Sequence, residues 1–211
     1  MVQTSIAQVP KTGLLLPLME HFYTLQGEGA NAGRAAYFVR LGGCDVGCHW
    51  CDVKESWSAE DHPLTSIDDI VALAAVHAPA PVVVTGGEPA LYNLGPLTSA
   101  FAAAGLPRWI ETSGAYPLTG EWEWVCLSPK KFKPPHASVY LQAHELKVIV
   151  FNESDLPWAE EHAARVEPHC RLFLQPEWSR AARMLPRLIA YVKANPRWQL
   201  SLQTHKYLDI P

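Results

Sequence analysis

The sequence lacks most features that place a protein in a class at once. It has no run of basic residues, no apolar stretch of membrane-spanning length, no low-complexity segment and no clear repeat. Lys and Arg number 17 against 21 Asp and Glu, a net charge of −4. Phosphate backbones are bound by clustered cations, so direct nucleic-acid binding is not expected. The apolar run Gly13-Leu14-Leu15-Leu16-Pro17-Leu18-Met19 is too short and too broken by proline for a signal peptide or a membrane span. Cysteines are few: five in 211 residues, an odd number without the density of a disulfide framework. Reduced thiols without an export segment predict a cytoplasmic protein with no membrane contact. No linker is evident, the nearest candidate being the Lys- and Pro-rich loop Lys130 to Ser138. Residues 1–211 are therefore expected to form one domain, which at this size buries roughly 70% of its unfolded surface.

Three of the five cysteines, Cys44, Cys48 and Cys51, fall in a Cys-x3-Cys-x2-Cys run with Trp50 before the last thiol. Three thiolates without a fourth hold three irons of a 4Fe–4S cluster and leave the fourth open, as an open zinc position binds water. Two other readings stand beside this one. A structural zinc site wants four ligands, usually as two pairs, and His49 would join the thiols only with an awkward backbone. Reduced structural thiols are the remaining alternative. Cys126 and Cys170 lie singly in apolar runs and read as small buried residues.

Around this run, strands and helices alternate. Strands are expected at Ala35–Leu41, Pro81–Val84, Arg108–Glu111, Trp124–Leu127, Glu145–Val150, Arg171–Leu174 and Trp198–Leu202. Helices are expected from Ser66, an N-cap, through Val76, and over Leu94–Ala104, Asp155–Arg165 and Arg180–Ala194. This order implies an α/β fold: a parallel sheet with right-handed crossovers and about six parallel strands. That is too few for a closed eight-fold barrel, so an open, partial βα barrel is expected.

The polar motifs follow the strands. Cys44–Cys51 comes after the first, Thr85-Gly86-Gly87-Glu88-Pro89 after the second and Glu111-Thr112-Ser113-Gly114 after the third. Ser128-Pro129-Lys130 follows the fourth, Gln175-Pro176 the sixth and Gln203-Thr204-His205-Lys206 the last. In a parallel βα fold these are the carboxyl ends of strands on one rim, where active sites are built.

The cysteine run followed by Thr85-Gly86-Gly87-Glu88-Pro89 resembles the radical S-adenosylmethionine superfamily. Within it the chain resembles the 7-carboxy-7-deazaguanine synthases. The resemblance runs through Glu20 to Gly29, Phe38-Val39-Arg40-Leu41, Glu111 to Gly114, Ser128 to Lys130 and Gln203 to Pro211. It implies a carbon–nitrogen lyase that contracts 6-carboxy-5,6,7,8-tetrahydropterin to 7-carboxy-7-deazaguanine with loss of ammonia. That is a step toward queuosine and other 7-deazapurines. It also implies a 4Fe–4S cluster, S-adenosyl-L-methionine, a flavodoxin-like or ferredoxin-like electron donor and a homodimer. Removing hydrogen from an unactivated carbon is beyond any side chain, and the cofactor supplies it.

The resemblance carries site roles onto particular positions. Trp50, Cys51, Asp52, Gly86, Gly87 and Glu88 are expected to bind S-adenosylmethionine, as are Ser128, Pro129, Lys130, Gln175, Pro176 and Glu177. Gly86 and Gly87 would let backbone approach that ligand, or merely form a strand-to-helix turn with Pro89 as first helical residue. Leu25, Gln26, Gly27 and Glu28 read as a loop facing the pterin, with Gln26 as donor and acceptor and Glu28 as acceptor. Thr85 and His205 join them. Arg40 is a charge inside an apolar run. Left unpaired it would be costly; the substrate carboxylate would satisfy it, and so would an ion pair with a strand neighbour. The α-carboxylate of Pro211 is expected to reach the pterin rather than fray.

One position departs from the family pattern. Cys51-Asp52-Val53 stands where a Thr usually follows the Asp and ligates Mg²⁺. The Val53 side chain has no oxygen to offer a hard cation, so Mg²⁺ is expected either to be bound through Asp52, water and the substrate carboxylate or to be dispensable, with a weaker Mg²⁺ dependence than the family norm. A glycyl-radical-activating enzyme, or another radical S-adenosylmethionine enzyme, is the main alternative. The Gln26–Glu28 loop, Arg40 and Pro211 argue against it because they suit a small anionic heterocycle. A zinc-binding structural module is the non-catalytic alternative.

Overall fold

The structure is a computed structural model that describes residues 9–211. The short apolar runs become strands: β1 (Leu15–Leu25), β2 (Ala35–Leu41), β3 (Leu64–Ser66), β4 (Val82–Gly86) and β5 (Arg108–Thr112). β6 (Trp124–Leu127), β7 (Glu145–Val150), β8 (Arg171–Pro176) and β9 (Trp198–Leu200) complete them. One sheet holds all nine in the order β3-β1-β2-β4-β5-β6-β7-β8-β9. The seven from β2 onward through β4 to β9 run parallel. β1 is antiparallel to β2, and β3 to β1. The two end strands of that order are not paired, so the sheet is an open, partial βα barrel.

The crossovers carry α1 (Ile67–Ala75), α2 (Gly95–Ala103), α3 (Ala137–Gln142), α4 (Asp155–Ala163) and α5 (Ala181–Ala194), and α6 (Thr204–Leu208) closes the chain. Ser66 caps α1, its Oγ accepting from Asp69 N at 3.1 Å. Asp68 and Asp69 in that first turn complement the helix dipole.

Strand side chains alternate between two faces. One face packs under the helices in two apolar clusters, the first including Val39, Val84 and Ile110, the second Leu146, Val148 and Leu174. Each such buried side chain contributes about 1.5–3 kcal/mol. The other face lines the concave interior. Its floor is apolar, formed by Ala36, Val83 and Trp109 with Phe38 and Trp124 against them. The next residues up each strand are polar: Arg40, Thr85, Glu111 and Lys147.

Four elements go beyond the sequence-based expectation: the strands β1 and β3 and the short helices α3 and α6. There are seven parallel strands rather than about six, and the antiparallel β1 and β3 extend the sheet. β1 escaped notice because Pro17 and the alternating polar residues break its apolar signal; Pro17 is tolerated where β1 pairs with the short edge strand β3. The short helices α3 and α6 also escaped, having six and five residues and hence too little length to show a helical period. Among the described residues no helix is long and apolar enough to cross a membrane.

Candidate active site

The rim residues converge on one cavity of about 520 Å³. The cysteine loop forms one wall. It is pinned at its start, where Gly43 N and Cys44 N donate to Ser56 O and Trp57 O at 2.7 and 3.0 Å. A turn then brings Cys51 N onto Cys48 O at 3.0 Å. From the β4 end, Gly87 N reaches Leu41 O at 3.0 Å and Glu88 N reaches Gly43 O at 2.9 Å. A Cβ on Gly87 would stand 2.3 Å from Gly43 O. The glycine is thus required by the packing of the β4 turn against the cysteine loop, besides lining the cavity.

Cys44, Cys48 and Cys51 all line this cavity. Burial pushes the Cys44 and Cys48 thiols up to about 11, so their deprotonation depends on a metal partner. Cys126 is fully buried in β6, donating to Glu145 Oε1 at 3.2 Å, and Cys170 is buried at the start of β8. The donor set is therefore three thiols. Among the described residues no three His, Cys, Asp or Glu side chains converge where a single ion could sit.

Of the positions singled out from sequence, all line the cavity except Glu88 and Pro129. Glu88 is 1% exposed. Its carboxylate accepts from Thr112 Oγ1 at 2.6 Å, Ser113 N at 2.8 Å and Ala90 N at 2.9 Å, and from Ser113 Oγ. It ties the β4 turn to the end of β5, and its side chain is saturated by protein rather than offered to a ligand. Pro129 faces a separate small hollow beside His49 and Phe132.

The opposite wall holds the polar residues. Arg40 lies across from Glu20 in the β1–β2 register, and its Nε donates to Glu20 Oε1 at 2.5 Å. The strand-neighbour ion pair is thus present, yet Arg40 also lines the cavity, and only its Nε is used in that pair. Lys130 Nζ donates to Ser128 O and Oγ, both at 2.6 Å. Burial draws its pKa below the ordinary lysine value. Gln175 is 1% exposed and accepts from Ser201 Oγ at 2.6 Å.

Glu28 projects inward from the loop after β1. Burial alone would raise its carboxyl, but the Lys147 ammonium, with hydrogen bonds from Lys147 and Gln203, holds it at about 2. Gln203 Nε2 donates to Glu28 Oε1 at 2.9 Å, and Gln26 Nε2 to Glu111 Oε1 at 3.1 Å. The strap containing α6 closes the cavity edge. Thr204 N and Oγ1 both donate to Gly27 O at 2.9 Å. His205 packs so closely on Gly27 that a Cβ there would lie 2.1 Å from its Nδ1. Burial lowers the His205 pKa and favours its neutral form. Lys206 Nζ donates to Asp52 Oδ2 at 3.0 Å and lies 5.1 Å from the Trp178 ring centre. Pro211 lines the cavity, its oxygen accepting from Thr24 Oγ1 at 3.2 Å.

Sequence reasoning put Glu111, Gln203 and Lys206 in rim motifs without giving them a site role and passed over Lys147 altogether, though all four line the cavity. Lys147 had a signal: Glu145 and Lys147 are charges two apart in an otherwise apolar strand, a pattern that puts both on one face.

No family model matches the chain. The chain is 56% identical to the 7-carboxy-7-deazaguanine synthase of Flavobacterium psychrophilum over all 211 residues, covering 100% of both. It is 48% identical to the enzyme of that name from a Synechocystis species, over 92% of this chain and 93% of the other. The crystal structure of QueE from Escherichia coli superposes with a TM-score of 0.81 at 30% identity, over 91% of this chain and 95% of that one. Such identity across the full length of both proteins, on a matching fold, shows that the chain belongs to the 7-carboxy-7-deazaguanine synthase family.

Proposed function

We propose that residues 1–211 act as one radical S-adenosylmethionine domain that converts 6-carboxy-5,6,7,8-tetrahydropterin to 7-carboxy-7-deazaguanine with loss of ammonia. The observation that carries this reading is the convergence of three thiols with Gln26, Glu28 and Arg40 on one cavity. Cys44, Cys48 and Cys51 hold a 4Fe–4S cluster, and Ser128, Lys130, Gln175 and the Gly86–Gly87 backbone hold S-adenosylmethionine. Together these groups supply the hydrogen abstraction that no side chain performs. The chain's own residues bind and orient. Arg40 takes the substrate carboxylate through its free guanidinium nitrogens. Glu28, held ionised, accepts from the heterocycle's N–H groups, and Gln26 complements them. Phe22 and Phe38, stacked 5.3 Å apart, give the cavity an apolar side. Thr85, His205 and Pro211 complete the enclosure and help exclude water.

The residues present do not fit a protein-held Mg²⁺ site. The Val53 side chain has no ligand oxygen, and Asp52 Oδ2 is engaged by Lys206 and, at 3.5 Å, by Gln203. We therefore give Mg²⁺ no step. The proposal also includes an electron donor of the flavodoxin or ferredoxin kind, a homodimer and a cytoplasmic location, the last supported by five free cysteines.

The test is anaerobic turnover of reconstituted enzyme with S-adenosylmethionine, a reductant and 6-carboxytetrahydropterin, with products followed by mass spectrometry. Formation of 7-carboxy-7-deazaguanine is expected. Cleavage of S-adenosylmethionine with no pterin-derived product would refute the substrate.

A further inference from the structure

Lys147 is 3% exposed at the centre of β7. Its neighbours Leu146 and Val148 turn to the opposite face and pack in the apolar core. Its Nζ donates to Glu28 Oε2 at 2.6 Å and to Glu111 Oε2 at 2.8 Å. The other oxygens of the two carboxylates accept from Gln203 and Gln26, and Gln26 Oε1 accepts from Glu28 N at 3.1 Å. The five side chains form one connected network with no buried polar atom unsatisfied, and all five line the cavity.

Two carboxylates brought together on one cavity wall repel each other, and a cation between them lets both stay ionised. Glu145, on the same face of β7, stands outside the network; its oxygens take Cys126 Sγ and Ala30 N. Neither Lys130 nor His205 bonds to Glu28 or Glu111: Lys130 Nζ is held by Ser128, and His205 packs on Gly27. The ammonium that bridges the pair is Lys147.

We propose that Lys147 is a specificity-determining positioning residue: by bridging Glu28 and Glu111 it presents a fixed pair of ionised acceptors, and so selects a heterocycle edge made of adjacent N–H donors. An amino group beside a ring N–H satisfies that pair. A carbonyl at either position faces lone pairs and is rejected. Without the ammonium, one carboxyl takes a proton, becomes a donor, and tolerates the carbonyl edge. This inference deepens the functional reading above and rests on it.

The test is calorimetric titration of the cluster-loaded enzyme with two probes, 7-carboxy-7-deazaguanine and its analogue lacking the 2-amino group. Wild type is expected to prefer the amino-bearing probe by about tenfold or more, the cost of leaving a charged acceptor unpaired. Lys147→Met is expected to lose that preference, to below about threefold. The double variant Lys147→Met/Glu111→Gln removes one charge of each sign, leaving the net charge of the network unchanged, and should show the same loss. Cluster absorbance and thermal midpoint report whether each variant is folded. A folded variant that keeps the wild-type preference, or weakens both probes equally, overturns the role of Lys147. Binding of neither probe by wild type overturns the functional reading itself, a distinct result.

Discussion

Arg40 gives the sharpest quantitative prediction, because the structure puts it in an ion pair and in the cavity at once. Its Nε is committed to Glu20, which is 44% exposed, whereas the Arg40 side chain is 19% exposed. A pair with one exposed partner stabilises a fold by only about 0–1 kcal/mol, so structure alone gives weak reason for a charge there. A guanidinium fork on a carboxylate is worth about 1.5–3 kcal/mol, or about 10- to 150-fold in affinity. Arg40→Met should therefore raise the Kd for 6-carboxytetrahydropterin by that factor. The same variant should leave binding of tetrahydropterin, which lacks the carboxylate, within about twofold. Glu20→Ala removes the anchor but not the fork, and should cost less than about threefold. The assay is equilibrium binding of both ligands to cluster-loaded enzyme, paired with kcat/KM for the substrate. Equal weakening of both ligands in Arg40→Met, or a Kd within threefold of wild type, would show that Arg40 is a strand ion pair and nothing more.

Three more outcomes are expected. Burial, and then Arg165, lowers His162 from 6.5 to about 4 in the folded chain. A base with a depressed folded pKa contributes stability above its unfolded pKa that is lost as pH falls toward the folded value. Wild type should thus lose about 2 kcal/mol more than His162→Gln between pH 7.5 and 5, and parallel urea-denaturation curves would contradict this. Turnover should respond to Mg²⁺ by less than about twofold and Val53→Thr should gain stimulation; a steep Mg²⁺ response in wild type would sink that expectation. Lys206→Ala releases the α6 strap from Asp52 and Trp178, so KM should rise about three- to tenfold while cluster absorbance is unchanged. An unaltered KM would show that the strap is held by Thr204 and His205 alone.

Much of the fold was legible because local chemistry and tertiary context agree. The runs at Ala35–Leu41, Trp124–Leu127 and Glu145–Val150 are strands with the expected bounds. Each is a short β-branched or aliphatic run between turn residues, and burial on both faces demands that composition. Ser66 caps α1 because its hydroxyl answers an orphan N–H within the same turn. β1 was not legible. Its pairing with β3 is distant in sequence, and its register against β2 shifts between Leu18 and Glu20.

The sequence by itself determined the chemistry on offer. Three thiols at fixed spacing, a missing fourth, and polar motifs after successive strands follow from residue identity and from the rule that parallel strands end on one rim. Only the tertiary structure decided which charges meet. Glu28, Glu111 and Lys147 are separated by at least 36 positions yet joined within 2.8 Å. The same closure turned Glu88 away from the cavity and into a brace between β4 and β5. Ionisation of neighbouring carboxylates depends on the nearest opposite charge, and nearness across a sheet is set by which strands pair and in what register, a property of the assembled sheet.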